Sequence, residues 1–378
     1  MRLVAGVLKE NFPGERRVAI TPSVLNLLAK ADVDVWVESQ AGLEAGFPDE
    51  EYEAKGASIK PGADAVRDGA QVLLQVRAGL VDTLRAGQTL IGFCNPLGNP
   101  ERAQQFAQTG VTLFSMELIP RITRAQSMDA LSSMASIAGY KAALVAASAL
   151  PRLFPMMTTA AGTLPPARVL VIGGGVAGLQ AIATTRRLGA VVSGYDVRAA
   201  VKEQIESLGA KFLEINLEGV RAEGEGGYAR ALDDESYRRQ REQMAAVLKA
   251  QDVVITTAAV PGKKAPLLIS REMVHMMSPG SVIVDLAAER GGNCELTKAG
   301  ETVMERGVTV LGPLNLPSTV PYDSSQMYAR NIVVFFKHLL KNGQMNIDLS
   351  DEITRETLVA RGGDVVHPKV QALLGVSA

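Results

Sequence analysis

One stretch limits the fold of this chain more than any other. Arg168 to Ile172 is a short β-branched run that leads directly into Gly173-Gly174-Gly175-Val176-Ala177-Gly178, and a helical pattern follows through Leu188. A second strand, Ala190 to Tyr195, ends at Asp196, 18 residues after the last of those glycines. Strand, glycine turn, helix and strand in that order begin a doubly wound parallel sheet. Strand-like runs at Asp252 to Thr256, Ser281 to Leu286 and Val308 to Leu311 extend it. The spacing Gly173-x-Gly175-x-x-Gly178 supplies a tight turn, close backbone approach and a helix packed on its strand, so that the first helical amides face an anion such as pyrophosphate. Alone the pattern is weak, because a glycine turn beside a surface aspartate would also produce it. Between a strand and a helix, with an acid closing the next strand, it is strong. Asp196 in that position can accept both hydroxyls of a ribose and would repel a 2'-phosphate, which favours NAD over NADP. Arg198, two residues on, weakens that preference.

At 378 residues the chain needs more than this one sheet, and two domains are expected. Leu3 to Leu8, Asp34 to Glu38, Gln71 to Val76 and Thr89 to Phe93 read as strands separated by helical stretches, the order of another parallel α/β sheet. Pro22 after Thr21 starts one of those helices, with Val24, Leu25, Leu27 and Leu28 on its buried side. Ser127 can cap a long helix of small residues that ends at Pro151. A second long helix carries Ile332, Phe335, Phe336, Leu339 and Leu340 on one face and stops at Gly343. The expected architecture is α/β with two lobes. A Rossmann-type doubly wound domain at 152–321 is inserted in an α/β domain formed by 1–128 and 342–378, with bridging helices at 129–151 and 322–341 and a cleft between the lobes. The segment Gly219 to Arg241 is glycine-rich, then densely charged, and too long for an ordinary connection. A mobile loop and a solvated helix are expected there.

Charge and cysteine usage exclude other classes. Lys plus Arg is 39 against 40 for Asp plus Glu, and no basic cluster stands out, which argues against bulk nucleic-acid binding. Cys94 and Cys294 lie far apart, and three scattered histidines make no metal spacing, so no metal site is expected. The opening MRLVAGVLKENFPGERR lacks the apolar run of a signal peptide. The apolar stretch from Ala142 to Leu150 is less than half of the ~20 residues a bilayer span requires. A soluble chain in a reducing compartment is the expectation.

Arg121, Gln126, Asp129 and Ser132 gather in PRITRAQSMDALSS at the start of the first long helix. From composition they read as a polar helix start with a capping role, with a ligand site as the alternative. A resemblance changes that reading. Over essentially its whole length the sequence resembles the NAD(H)-binding component, domain I, of proton-translocating nicotinamide nucleotide transhydrogenase, itself similar to alanine dehydrogenase. The residues that carry it are ERRVAITP from Glu15, PRITRAQSMDALSS from Pro120, AGY from Ala138, PPARVLVIGGGVAGLQAIATTRRLGA from Pro165, DVRAA from Asp196, ITTAAVPGKKAP from Ile255 and VDLAAERGGN from Val284.

The resemblance implies that Arg121, Gln126, Asp129 and Ser132 surround the nicotinamide and its ribose. It implies nucleotide contacts from Gly173, Gly175, Val176, Ala177 and Gly178, from Asp196, Val197 and Arg198, and from Ala258 and Ala259. Gly227 and Tyr228 correspond to a mobile loop that folds over the nucleotide. The family passes hydride directly between NAD(H) held here and NADP(H) on a partner subunit. Further subunits span the membrane and translocate protons, and this component is a homodimer. A cytoplasmic chain, peripheral on the inner face of the bacterial plasma membrane through those partners, is therefore expected. Alanine dehydrogenases resemble the fold but have a shorter connection at the charged insertion. They also carry a catalytic histidine in the region of Phe93-Cys94-Asn95-Pro96, where this chain has Asn95. An amide cannot shuttle that proton. Arg17, Arg77 and Glu289 resemble parts of the dehydrogenase site and read as relics of it. An amino-acid dehydrogenase and a non-catalytic NAD sensor are the alternatives.

Overall fold

The computed structural model describes residues 2–79, 81–215, 233–259 and 264–375. The chain forms two compact units, Met1–Met134 with Pro317–Ala378, and Ala135–Leu316. In the first, β1 (Leu3–Val7), β2 (Val33–Glu38), β3 (Ser58–Lys60), β4 (Val72–Arg77), β5 (Thr89–Phe93) and β6 (Thr112–Ser115) lie parallel in the order β3-β2-β1-β4-β5-β6. Every residue of β1 is buried and β4 is nearly so, as expected of strands covered on both faces. The helix α1 (Pro100–Gln108) covers one face with Phe106, against Leu73, Leu90 and Leu113.

The helix α2 (Ala130–Ala149) leads out of this unit into the second. Among the described residues it is the helix whose length and composition would also suit a membrane span, a longer candidate than the Ala142 to Leu150 run alone. Ala142 and Ala146 are fully buried in the core of the second unit. The cap differs from expectation. Ser127 lies in a 3-10 turn, Thr123–Met128, and the helix is instead opened by Asp129, whose carboxylate accepts from the Ser132 amide at 2.9 Å and its hydroxyl at 2.6 Å.

In the second unit β7 (Arg168–Ile172), α3 (Val176–Arg187), β8 (Val191–Tyr195), β9 (Lys211–Phe212), α4 (Asp234–Leu248), β10 (Val253–Thr256), β11 (Val282–Asp285), β12 (Thr302–Glu305) and β13 (Val308–Leu311) follow one another. The sheet order is β9-β8-β7-β10-β11-β13-β12, parallel except for the edge strand β12. The order reverses between β7 and β10, as it does between β1 and β4 in the first sheet. Both units are thus doubly wound about one switch point.

After β13 the chain re-enters the first unit. The helix α5 (Pro321–His338), expected as a bridge, belongs wholly to that unit. Its Tyr328, Ile332, Phe335 and Phe336 are fully buried, and Phe335 meets Phe114 of β6 edge to face at 5.8 Å. Strands β14 (Leu358–Arg361) and β15 (Asp364–Val365) then extend the first sheet antiparallel beyond β6. That completes the return of the C-terminal stretch to the first unit.

Candidate functional site

The glycine turn stands at the switch point of the second sheet. Gly173 has φ +102°, a backbone region that side chains rarely adopt, and a Cβ there would lie 2.5 Å from Thr257 Oγ1. A Cβ at Gly178 would sit 1.7 Å from the Gly173 carbonyl oxygen, so only glycine lets α3 pack this tightly on β7. Gly175, at the helix N-cap, has open space where its Cβ would be. The amides of Val176 and Ala177 lie in the first turn of α3, where no helical carbonyl is available to them. Tight turn, close packing and an open approach over helix amides are what a dinucleotide pyrophosphate requires, and the cradle fits one. Across the switch point, Thr257 donates to the Gly173 carbonyl at 3.0 Å, and Ala258 and Ala259 follow, half-buried. Gly139, from the AGY motif in α2, abuts the same helix start: a Cβ there would lie 2.0 Å from the Ala177 carbonyl oxygen.

Asp196 closes β8 and is buried. Its Oδ2 accepts from the Gly174 amide at 2.7 Å and Arg198 Nη2 at 2.7 Å; its Oδ1 accepts from the Arg198 amide and Nε, both at 2.8 Å. Val197 between them is half-buried.

A support that sequence reasoning missed lies behind the cradle. Asp285, at the end of β11, is fully buried and receives five donors: Thr256 Oγ1, Thr297 Oγ1 and the amides of Ala287, Asn293 and Cys294, at 2.6–3.0 Å. It thereby fixes Asn293, whose amide group donates to the carbonyls of Ala258 and Pro266 at 2.8 and 2.9 Å. The signal was present as VDLAAERGGN, but an aspartate in an apolar strand end does not announce its donors.

In the first unit, Arg121 and Gln126 are exposed on the segment before α2, while Asp129 and Ser132 are half-buried and joined by the cap. The segment is held from α5, where Asn331 donates to the Ser127 carbonyl at 2.9 Å. At this unit's own switch point the segment after β1 carries the acids Glu10 and Glu15 in place of a Gly-x-Gly-x-x-Gly turn. Glu15 and Arg17 form a buried pair at 2.6 Å, and Arg77 approaches Glu15 at 3.4 Å. Glu10 accepts from the Val76 and Arg77 amides at 2.6 and 3.1 Å, and burial pushes its carboxyl up to about 8. The two arginines expected as relics are therefore bound to a buried acid of their own unit, and Glu289 accepts from the Asn315 amide at 3.0 Å in the second unit. Asn95 is exposed at φ +48°, and its amide and that of Cys94 are held by Glu117, whose carboxyl burial also raises. Among the described residues, no group of three or more His, Cys, Asp or Glu could hold a metal ion. Gly227 and Tyr228 lie outside the described residues.

The alanine dehydrogenase/PNT C-terminal domain family matches residues 142–368, and the corresponding N-terminal domain family matches residues 6–138. The chain belongs to the alanine dehydrogenase/PNT family. Within it, the chain is 45% identical over 381 aligned residues to the first portion of the NAD(P) transhydrogenase alpha subunit of Rhodospirillum rubrum, with 98% of each covered. It is 28% identical to alanine dehydrogenase of Bacillus subtilis, with 99% of this chain and 95% of that one covered. A solved transhydrogenase structure from Sinorhizobium meliloti shares the fold with a TM-score of 0.84 at 43% identity, covering 97% of this chain and 99% of its own.

Proposed function

We propose that the chain is the NAD(H)-binding component of a proton-translocating NAD(P) transhydrogenase, which presents NADH to NADP⁺ held by a partner subunit. The observation that carries this reading is the glycine cradle with Asp196 beside it, in a chain 45% identical along 98% of its length to a transhydrogenase subunit. Gly173, Gly175, Val176, Ala177 and Gly178 hold the pyrophosphate, Asp196 and Val197 the adenosine ribose with Arg198 lining its 2' side, and Ala258 and Ala259 the opposite wall. Bound NADH supplies the hydride. Gln126 takes the carboxamide of the nicotinamide, with Arg121, Asp129 and Ser132 around the ring and its ribose. Because hydride passes directly, these residues need only orient the ring and exclude water. No acid or base is required, which is consistent with an amide at Asn95.

Membrane-spanning subunits translocate the protons and hold this chain on the inner face of the plasma membrane. The chain works as a homodimer. Support for a second copy comes from the hairpin Met157–Thr159 and Gly162–Leu164, in which all six strand residues are exposed and Leu164 is 55% exposed beside Met156 at 64%. A two-stranded hairpin is marginal in water by itself. Mixing the chain with NADH, a thio-analogue of NADP⁺ and the partner's nucleotide-binding domain tests the function. Rapid reduction of the analogue is expected. NADH oxidation with pyruvate and ammonia, in the absence of the partner, would instead establish an amino-acid dehydrogenase.

A further inference from the structure

The carboxylate of Asp196 has no acceptor position left over. A carboxylate offers about four lone-pair sites, and in this structure Oδ1 receives two N–H groups and Oδ2 receives two. Two of the four donors are backbone amides, from Gly174 in the glycine turn and from Arg198 in the turn after β8. They cannot leave without undoing those turns. The other two are Nε and Nη2 of the Arg198 guanidinium, a bidentate fork whose side chain is largely buried. A ribose diol needs two acceptor sites on the same carboxylate, and only the fork can yield them.

We infer that Arg198 is a displaceable latch on Asp196 and thereby a specificity-determining residue: NADH must lift the fork to seat its ribose, and the lifted guanidinium then faces the 2' position. This rests on the NAD(H) reading of the site and adds to it. For NADH the latch is a cost, since a charged bidentate pair is exchanged for two neutral hydroxyl donors. For NADPH it is partial compensation, because the lifted guanidinium brings a positive charge to where a 2'-phosphate would otherwise meet Asp196 alone. Arg198 therefore weakens the preferred nucleotide and shelters the disfavoured one.

The test is titration calorimetry with NADH and NADPH on the full chain, wild type against Arg198→Met, which keeps the apolar stem and removes the fork. NADH should bind about three- to tenfold more tightly to the variant, and NADPH more weakly, so that the preference for NADH widens by about tenfold or more. In an Asp196→Asn background the gain in NADH affinity should disappear, because the latch acts through the carboxylate. The Arg198 Nε–H resonance of the wild-type chain should move on NADH addition as the pair opens. Unchanged or weaker NADH binding by Arg198→Met, a gain that persists in the Asp196→Asn background, or an unmoved Nε–H signal would each overturn the latch while leaving the NAD(H) reading intact. A wild-type chain that bound no NADH would overturn both.

Discussion

Among single residues, the proposed function divides affinity and orientation between Asp196 and Gln126. If the aspartate sets the nucleotide preference as proposed, calorimetry should give tighter binding of NADH than of NADPH; equal affinities would remove the ribose assignment. Gln126 is exposed on a segment pinned by Asn331. Shortening it in Gln126→Asn leaves the cradle untouched, so NADH affinity should fall only a few-fold. Hydride transfer depends on near-attack geometry, where a misplacement of about 1 Å costs on the order of 100-fold. The single-turnover rate in the reconstituted complex should fall by that order, and a wild-type rate would make Gln126 a binding residue only. Glu10 contributes to pH dependence, as does Glu117, whose carboxyl burial also raises. The folded carboxyl of Glu10 is pushed up to about 8 by burial, with Glu15 adding to the rise and Arg17 opposing it. Below about pH 4.5 it is protonated in both states. As pH rises towards 8 the unfolded chain releases that proton first, so stability falls across this window, by up to about 5 kcal/mol in all. Urea unfolding between pH 5 and 8.5 should show this decline, and Glu10→Gln should flatten it.

At the scale of elements, what the sequence discloses is whatever a local pattern can carry. The runs Thr89–Phe93, Arg168–Ile172 and Val308–Leu311 are strands over the residues their composition suggests. Strands such as Ser58–Lys60 and Thr112–Ser115 were not legible, because three or four residues give too little alternation and their place comes from the neighbour they pair with. The glycine cradle was legible because its backbone demands are met by one residue type. The acids inside the molecule were not, since Glu10 and Glu117 are identified by amides distant in sequence and Asp285 by donors that only the fold turns inward. Asp285 has the largest consequence. Asp285→Asn would set an amide N–H against some of its five donors, so thermal denaturation should show a loss of about 2–4 kcal/mol. NADH binding should weaken as well, because Asn293 would no longer hold the Ala258 carbonyl in register. A variant as stable as wild type with unaltered NADH affinity would show that the network is dispensable.

At the scale of the whole molecule, the exposed hairpin at 157–164 and the insertion of one unit into the other have separate consequences. If a second copy covers the hairpin, Leu164→Asp should shift sedimentation from dimer towards monomer without disturbing either sheet, since that side chain is 55% exposed. The insertion bears on the order of assembly. Residues 135–316 are contiguous and contain every strand of their sheet, so this unit can be completed from its own stretch of chain. The first unit cannot. Phe335 must find Phe114, and β14 must find β6, across 182 intervening residues that belong elsewhere. Closing a flexible loop of that length costs about 4–5 kcal/mol of chain entropy, and slow non-local pairing is the usual result. During synthesis the first six strands emerge before α5, so they are expected to wait with an apolar face bare while the inserted unit matures. Pulsed hydrogen exchange during refolding should protect the amides of β7, β10 and β11 before those of β6 and β14. The nucleotide cradle would then be finished while the host sheet is still open, which makes NADH a ligand able to act on the protein before it has finished folding.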